Sequence, residues 1–244
     1  MSLPAPGDKR RFVEQMFDQI APRYDAVNRL MTLGIDRAWR RRAVRSLAAG
    51  RGALVVDLGC GTGDLVADVA RTGARVVGVD VSAQMMAHGR GRMPEAHFVR
   101  ADAQRLPFAD ASFDAAVSGF ALRNFSAIPD ALAETARILK PGGRLAILEV
   151  DVPESGPRRV LFDTYFKRVV PWIGTLLSRG YAYHYLAEST AYLPSRQRLV
   201  ELLRDAGFVD GQHLSLFAGA AQLVTARRDG AAEVAPPRQL RVAS

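Results

Sequence analysis

The spacing of hydrophobic positions changes along the chain, and each change marks an element. From Lys9 onward, Phe12, Val13, Met16, Phe17 and Ile20 fall three and four residues apart, the stripe of an amphipathic helix. Pro22 is expected to break or restart that helix, because its ring removes a donor and crowds the preceding turn. Asp36 is placed to cap a further helix in which Trp39, Ala43 and Leu47 face inward and Arg37, Arg41 and Arg45 line another face. Beyond residue 50 the pattern alternates between short β-branched runs and helical stripes. It predicts strands over 53–57, 75–80, 96–101, 113–119 and 144–150, and helices over 64–71, 82–91 and 128–139. Such alternation means a parallel sheet covered on both faces, with ligands at the C-terminal strand tips.

The remainder departs from that rhythm. Residues 151–194 form an insertion in which Leu161, Phe162, Tyr165, Phe166, Val169 and Val170 repeat as an amphipathic helix ended by Pro171 and Trp172. Aromatics then gather at Tyr181, Tyr183 and Tyr185, where the insertion can wall a pocket above the tips. A helix over 195–206 stopped by Gly207 precedes a strand pair over 208–216 and 217–228, expected as an antiparallel edge. Residues 1–8 and 229–244, rich in proline and small residues, are expected to be disordered. One domain then runs from 9 to 228, with 9–50 as a helical cover.

The chemistry concentrates at Leu54-Val55-Val56-Asp57-Leu58-Gly59-Cys60-Gly61-Thr62-Gly63-Asp64, a buried strand, a tight turn and a helix start. Alternate glycines admit positive φ and let a ligand lie against the main chain. A pyrophosphate-binding turn spaces its glycines G-x-G-x-x-G. Here they read G-x-G-x-G behind Asp57, which resembles the first motif of class I S-adenosylmethionine-dependent methyltransferases. Asp57 with the turn amides of Gly59 and Gly61 suits the zwitterionic amino-acid end of that cofactor. Asp80 at the second strand tip is placed to accept from ribose hydroxyls, as it would for a dinucleotide. Asp102-Ala103 at the third tip can take an adenine amine. The later Leu106-Pro107-Phe108, Ser112-Phe113-Asp114 and Leu139-Lys140-Pro141-Gly142-Gly143-Arg144-Leu145 resemble the small-molecule methyltransferase pattern rather than a dehydrogenase. The fold implied is a Rossmann-like, seven-stranded, mostly parallel sheet with an antiparallel C-terminal edge strand.

Charge and composition narrow the partners. The 244 residues carry a formal charge of +8 and a single cysteine. Cys60 alone excludes an internal disulfide and a cysteine metal cage, which fits a reducing cytoplasm. No His/Cys/carboxylate cluster suggests a metal. No apolar run spans a membrane and no signal-peptide segment opens the chain, so a cytoplasmic location is expected. The basic excess suits a solvated surface or an anionic membrane face; without an aromatic-and-basic RNA-binding motif, nucleic acid is not expected.

The N-terminal segment adds specificity. Met16-Phe17, Ile20-Ala21, Tyr24-Asp25, Asn28, Thr32, Gly34-Ile35-Asp36 and Trp39-Arg40, with Phe120-Ala121-Leu122-Arg123-Asn124-Phe125 and Tyr183-His184-Tyr185-Leu186-Ala187-Glu188-Ser189, resemble the ubiquinone/menaquinone biosynthesis C-methyltransferase family from about residue 12 to 217. Ala121 stands where that family usually has glycine. The resemblance implies cofactor contacts at Thr62, Asp80, Asp102, Ala103 and Gly119 or its neighbour Ser118. It also implies C-methylation of a prenylated quinol ring, with methylation of another lipophilic small molecule as the alternative. Methyl transfer to a ring carbon needs phenolate character, so Arg123, Asn124 and Tyr24 are the catalytic candidates. A membrane-peripheral position and a homodimer remain open at this stage, as does a titrating role for His184.

Overall fold

The computed structural model describes residues 4, 6–151, 156, 159–160, 164, 185 and 188–230. Its elements in chain order are α1 (Pro6–Thr32), α2 (Asp36–Ser46), β1 (Leu54–Leu58), α3 (Asp64–Ala70), β2 (Arg75–Asp80), α4 (Ala83–Arg92), β3 (His97–Arg100) and β4 (Phe113–Gly119). After these come α5 (Ile128–Ile138), β5 (Leu139–Val150), α6 (Arg196–Asp205), β6 (Phe208–Leu216) and β7 (Ala221–Arg228). The strands form one sheet in the order β3-β2-β1-β4-β5-β7-β6. Strands β1 to β5 are parallel, and β7 runs antiparallel between β5 and β6. The reversed strand is thus one place in from the edge, and β6 closes it.

The continuous apolar runs follow from burial on both faces. On one side α5 and α6 bring Ile128, Leu132, Leu199, Leu202 and Leu203 onto Val56, Leu145, Ile147 and Val224. On the other, α2, α3 and α4 bring Ala43, Val44, Leu47, Val66, Val69 and Met86 onto Val55, Val76, Val117 and Ala146. Local signals set the helix starts. Ser82 and Ser195 accept from the Met85 and Arg198 amides, and Gly63, at φ 84°, turns the chain from β1 into α3. Strand order reverses direction between β1 and β4, which opens a crevice at their tips.

Three expectations need correction. α1 passes through Pro22 without a break and begins at Pro6 rather than Lys9. Pro22 is exposed, so the carbonyl it leaves without a donor can bond water, while Val13, Met16, Ile20, Ala21 and Val27 are buried and hold both halves in place. Asp36 is the first residue of α2 rather than a cap over it; its carboxylate takes the Thr32 hydroxyl at 2.7 Å and pairs with Arg40. The last strand begins at Ala221, because Phe217–Gly219 form a 3-10 turn. β6 is interrupted by a bulge between Val209 and Gln212, with Asp210 at φ 55°. The expected helix of the insertion, His184 and the C-terminal tail lie outside the described residues.

Candidate active site

A cleft opens at the crevice, walled by the tips of β1, β2 and β4, the chain just past β3, and α1 lying across them. α1 is strapped down by carboxylates four and seven residues apart, Glu14, Asp18 and Asp25. Glu14 pairs with Arg100 at the end of β3; Asp18 accepts from the Ser82 hydroxyl at 2.5 Å and the Gln84 amide at 3.2 Å beyond β2. Asp25 accepts from the Thr62 hydroxyl at 2.5 Å beyond β1 and from Arg92 at 2.7 Å. At the helix start, Lys9 is buried, donates to the Phe125 carbonyl at 2.7 Å and lies 3.6 Å from the centre of the Tyr192 ring. Burial lowers the Lys9 pKa to about 8.

The glycine turn has the geometry that its spacing implied. Gly59, Gly61 and Gly63 all adopt positive φ, and the Gly59 and Cys60 amides donate to the Val79 carbonyl at 2.8 and 2.9 Å. A side chain on Gly59 would collide with Ala121, so the cleft wall depends on glycine there. Cys60 is buried and its thiol is held well above its ordinary pKa by that burial, which rules out a ready nucleophile.

The candidate residues divide into those on the cleft wall and those behind it. Gly59, Gly61, Asp80, Asp102, Ala103, Gly119, Tyr24 and Asn124 line the cleft. Asp80 accepts from the Gly61 amide at 2.8 Å through one oxygen and the Ser82 amide at 2.8 Å through the other, which fixes the carboxylate and leaves lone pairs for a ligand. Burial raises its pKa, and the two amides pull the other way. Asp102 is turned back by the Gln104 amide at 3.0 Å and faces Arg10 at 3.7 Å. Arg10 itself lines the cleft, a residue that spacing alone did not single out.

Asp57 is wholly buried, and neither carboxylate oxygen has a hydrogen-bond partner. Burial pushes its pKa well above the carboxylate range, with Asp80 adding to the effect. Thr62 is buried under α1, its hydroxyl proton committed to Asp25. Ser118 donates to the Leu58 carbonyl at 2.8 Å, joining β4 to β1, and stands behind the wall that Gly119 forms.

Arg123 is displaced most from expectation. Its guanidinium is buried and paired with Glu149, donates to the Phe120 carbonyl at 2.8 Å, and its backbone amide donates to Glu149 at 3.2 Å. It faces into the protein, not onto the cleft wall, so a free cation over the ring does not match this placement. Its neighbour Asn124 does line the cleft and receives the Tyr185 hydroxyl at 3.4 Å. Burial holds the Tyr24 phenol above its ordinary pKa, so it is a hydrogen-bond donor at neutral pH. Val13, Phe17, Val79, Met85, Phe120 and Phe125 supply apolar walls.

The donor set fits S-adenosylmethionine. Asp57 is a buried carboxylate without a full hydrogen bond, matched by the cofactor's positive charge. Asp80 suits its ribose, and the backbone at Gly59 leaves room for no side chain. Among the described residues no group of three His, Cys, Asp or Glu side chains could hold a metal.

Comparison with known proteins agrees. The family model described as the ubiE/COQ5 methyltransferase family matches residues 6–228. The chain is 37% identical over 230 residues to the ubiquinone/menaquinone biosynthesis C-methyltransferase of Geobacter sulfurreducens, covering 91% of this chain and 90% of that one. It is 42% identical over 208 residues to the demethylmenaquinone methyltransferase of Deinococcus radiodurans, covering 82% and 86%. Among solved structures, an S-adenosylmethionine-dependent methyltransferase from Thermotoga maritima, described as a possible histamine N-methyltransferase, shares the fold with a TM-score of 0.62. It is 21% identical, and 89% of this chain and 100% of that one are covered.

Proposed function

Because the chain belongs to the ubiE/COQ5 methyltransferase family and is an S-adenosylmethionine-dependent C-methyltransferase, we propose that its acceptor is a prenylated quinol ring, demethylmenaquinol or the corresponding benzoquinol. The observation that carries this reading is the composition of the cleft. Carboxylates and turn glycines line one side of it, and an apolar surface carrying two neutral donors, Tyr24 on α1 and Asn124 past β4, lines the other. When bound, the cofactor supplies an electrophilic methyl group on a sulfonium.

The residues of this chain bind, orient and exclude water. Asp80, braced by the Gly61 amide, holds the ribose end, Asp102 and Ala103 face the base, and the buried Asp57 balances positive charge from beneath the turn. Phe17, Phe120 and Phe125 offer flat apolar contact for a ring and keep water away. A quinol becomes nucleophilic at carbon as its hydroxyl loses a proton. Tyr24 stays protonated and Asn124 carries an amide, so both donate to the phenolate oxygen rather than take the proton. Arg123 is a positioning residue in this reading: through Glu149 and the Phe120 carbonyl it sets the 3-10 turn Leu122–Asn124 that presents Asn124.

Peripheral contact with an anionic membrane at the cytoplasmic face belongs to the same reading, supported by Arg37, Arg41 and Arg45, all exposed on α2. Among the described residues no helix is long and apolar enough to cross a membrane. The test is methyl transfer under reducing conditions to a short-chain demethylmenaquinol, read by mass and by stoichiometric release of the demethylated cofactor. Phenol, sterol and phospholipid-amine acceptors run beside it. Turnover of the quinol alone is expected; preference for any of the others overturns the assignment.

A further inference from the structure

Lys9 is buried in the first turn of α1, where an uncharged side chain would cost the fold less. Among the described residues no carboxylate pairs with it. Its amine meets instead the Phe125 carbonyl, 2.7 Å away, and the face of Tyr192, whose ring centre lies at 3.6 Å. Phe125 directly follows the 3-10 turn Leu122–Asn124 and lines the cleft beside Asn124. Tyr192 ends a second 3-10 turn, Ser189–Tyr192, and its hydroxyl donates to the Pro4 carbonyl at 2.9 Å, just ahead of α1. One turn along α1 from Lys9, Phe12 packs on Tyr185 with ring centres 5.2 Å apart, and the Tyr185 hydroxyl donates to the Asn124 amide oxygen at 3.4 Å. The start of α1 thus holds the segment carrying Asn124 at two points. With its oxygen taken by Tyr185, the Asn124 amide has its nitrogen to offer an acceptor.

We propose that Lys9 is a positioning residue for methyl transfer: by tying the Phe125 carbonyl to the Tyr192 ring, it clasps the start of α1 to the Leu122–Asn124 turn and holds Asn124 in reach of the acceptor. The proposal rests on the reading that Asn124 donates to the acceptor oxygen. A methionine of similar length would fill the same space, but only a donor holds the Phe125 carbonyl, and only a cation is also drawn to the face of Tyr192. Lys9 is not among the residues lining the cleft, so it acts through Phe125 and Asn124. Arg123 sets the same turn from inside the protein, and Lys9 sets it from the cover. Glu14, Asp18 and Asp25 already strap the rest of α1 beside the cofactor's strand tips, so the clasp bears on the acceptor rather than on the cofactor. A charge kept where a neutral side chain would be more stable is the pattern expected of a group retained for activity.

The test compares K9M, Y192L and Y192F with the wild type. K9M is expected to keep its melting temperature at neutral pH and its S-adenosylmethionine affinity, while kcat for a short-chain quinol at saturating cofactor falls about tenfold to a hundredfold. Y192L removes the ring beneath the amine and should fall in the same direction by less. Y192F keeps the ring, loses only the bond to Pro4, and should turn over at the wild-type rate. Amide hydrogen exchange makes the comparison without an acceptor: K9M should speed exchange in residues 122–126 and in the first turns of α1 together, with β1 to β5 unchanged. A melting temperature that drops in step with the rate makes Lys9 structural and overturns the proposal. So does a K9M kcat equal to that of the wild type, or exchange in 122–126 that stays as it was. If the wild type methylates no quinol while K9M loosens both segments, the clasp stands and the acceptor assignment fails.

Discussion

Asp57 and Glu149 are the penultimate residues of β1 and β5, and both are completely shut off from solvent, yet the protein treats them differently. Glu149 receives the Arg123 guanidinium, the Arg123 amide at 3.2 Å and the Val150 amide at 2.9 Å. Asp151, just beyond, is equally provided for by Arg196 at 2.7 Å and Ser215 at 3.1 Å. Asp57 receives no full hydrogen bond, only the weaker pull of the Val66 amide in the first turn of α3 and of Arg40. A buried carboxylate without partners is costly, so β5 shows what the fold builds when a carboxylate has a structural task, and β1 what it leaves when the partner comes from outside. Neither burial nor strand position separates the two; the inventory of donors does.

Removing a partner on the β5 side gives the largest expected effect. R123A leaves Glu149 buried with two backbone amides and no countercharge, and should cost about 3–5 kcal/mol of stability, read as a lower denaturation midpoint with methyl transfer falling in step. The R123M/E149L pair sharpens the point by deleting both charges. Recovery of stability and rate together confirms Arg123 as a positioning residue, whereas recovered stability with turnover still absent would put its charge on the reaction. On the β1 side the outcome should be inverted. With its pKa raised, Asp57 destabilises the free fold increasingly as pH rises through the ordinary carboxylate range, where the unfolded chain ionises first. D57N should therefore raise the melting temperature of the free enzyme at neutral pH. It should also weaken S-adenosylmethionine binding by about 1–3 kcal/mol in calorimetry; a variant that loses both stability and affinity would mean that Asp57 is structural after all.

The Lys9 effect is confined to alkaline pH. Burial favours its neutral form, so below about pH 8 the folded chain carries the whole cost of burying the charge. Between about 8 and 10.5 the folded chain sheds the proton first and stability rises with pH. Above 10, Tyr24 opposes it, since its raised pKa keeps the folded chain protonated while the unfolded chain ionises. K9M should flatten the rise between pH 8 and 10 in a series of denaturation midpoints; an unaltered slope would place the titration elsewhere.

Much of this site was legible before any coordinates, and for a definite reason. A strand-tip carboxylate followed by glycines at alternate positions is local in sequence, so Asp57, Gly59, Gly61 and Asp80 could be read from spacing. The partners that decide roles are not local. Arg123 and Glu149 are 26 residues apart, Thr62 and Asp25 37, and Lys9 and Phe125 116. Position after a strand tip placed Arg123 near the cleft, but only the fold shows that Glu149 turns it inward. Pro22 misled for a related reason: helix propensity is local, whereas the burial that holds α1 together across it comes from Tyr185 and from α4 packed against it.

The ends of the sheet carry one more consequence. An unpaired strand offers its free amides and carbonyls to any passing strand, and that is how folded proteins aggregate. β3 presents only four residues, and Arg100 at its end is tied to the Val81 carbonyl and Glu14. β6 is nine residues long, but its bulge at Val209 to Gln212 breaks the ladder, and Asp210 is clasped by Arg227 at 2.8 Å. A neighbouring molecule could add hydrogen bonds to either edge for only a few residues before meeting a kink or a charge. At high local concentration the protein is thereby kept from extending its sheet into the next molecule.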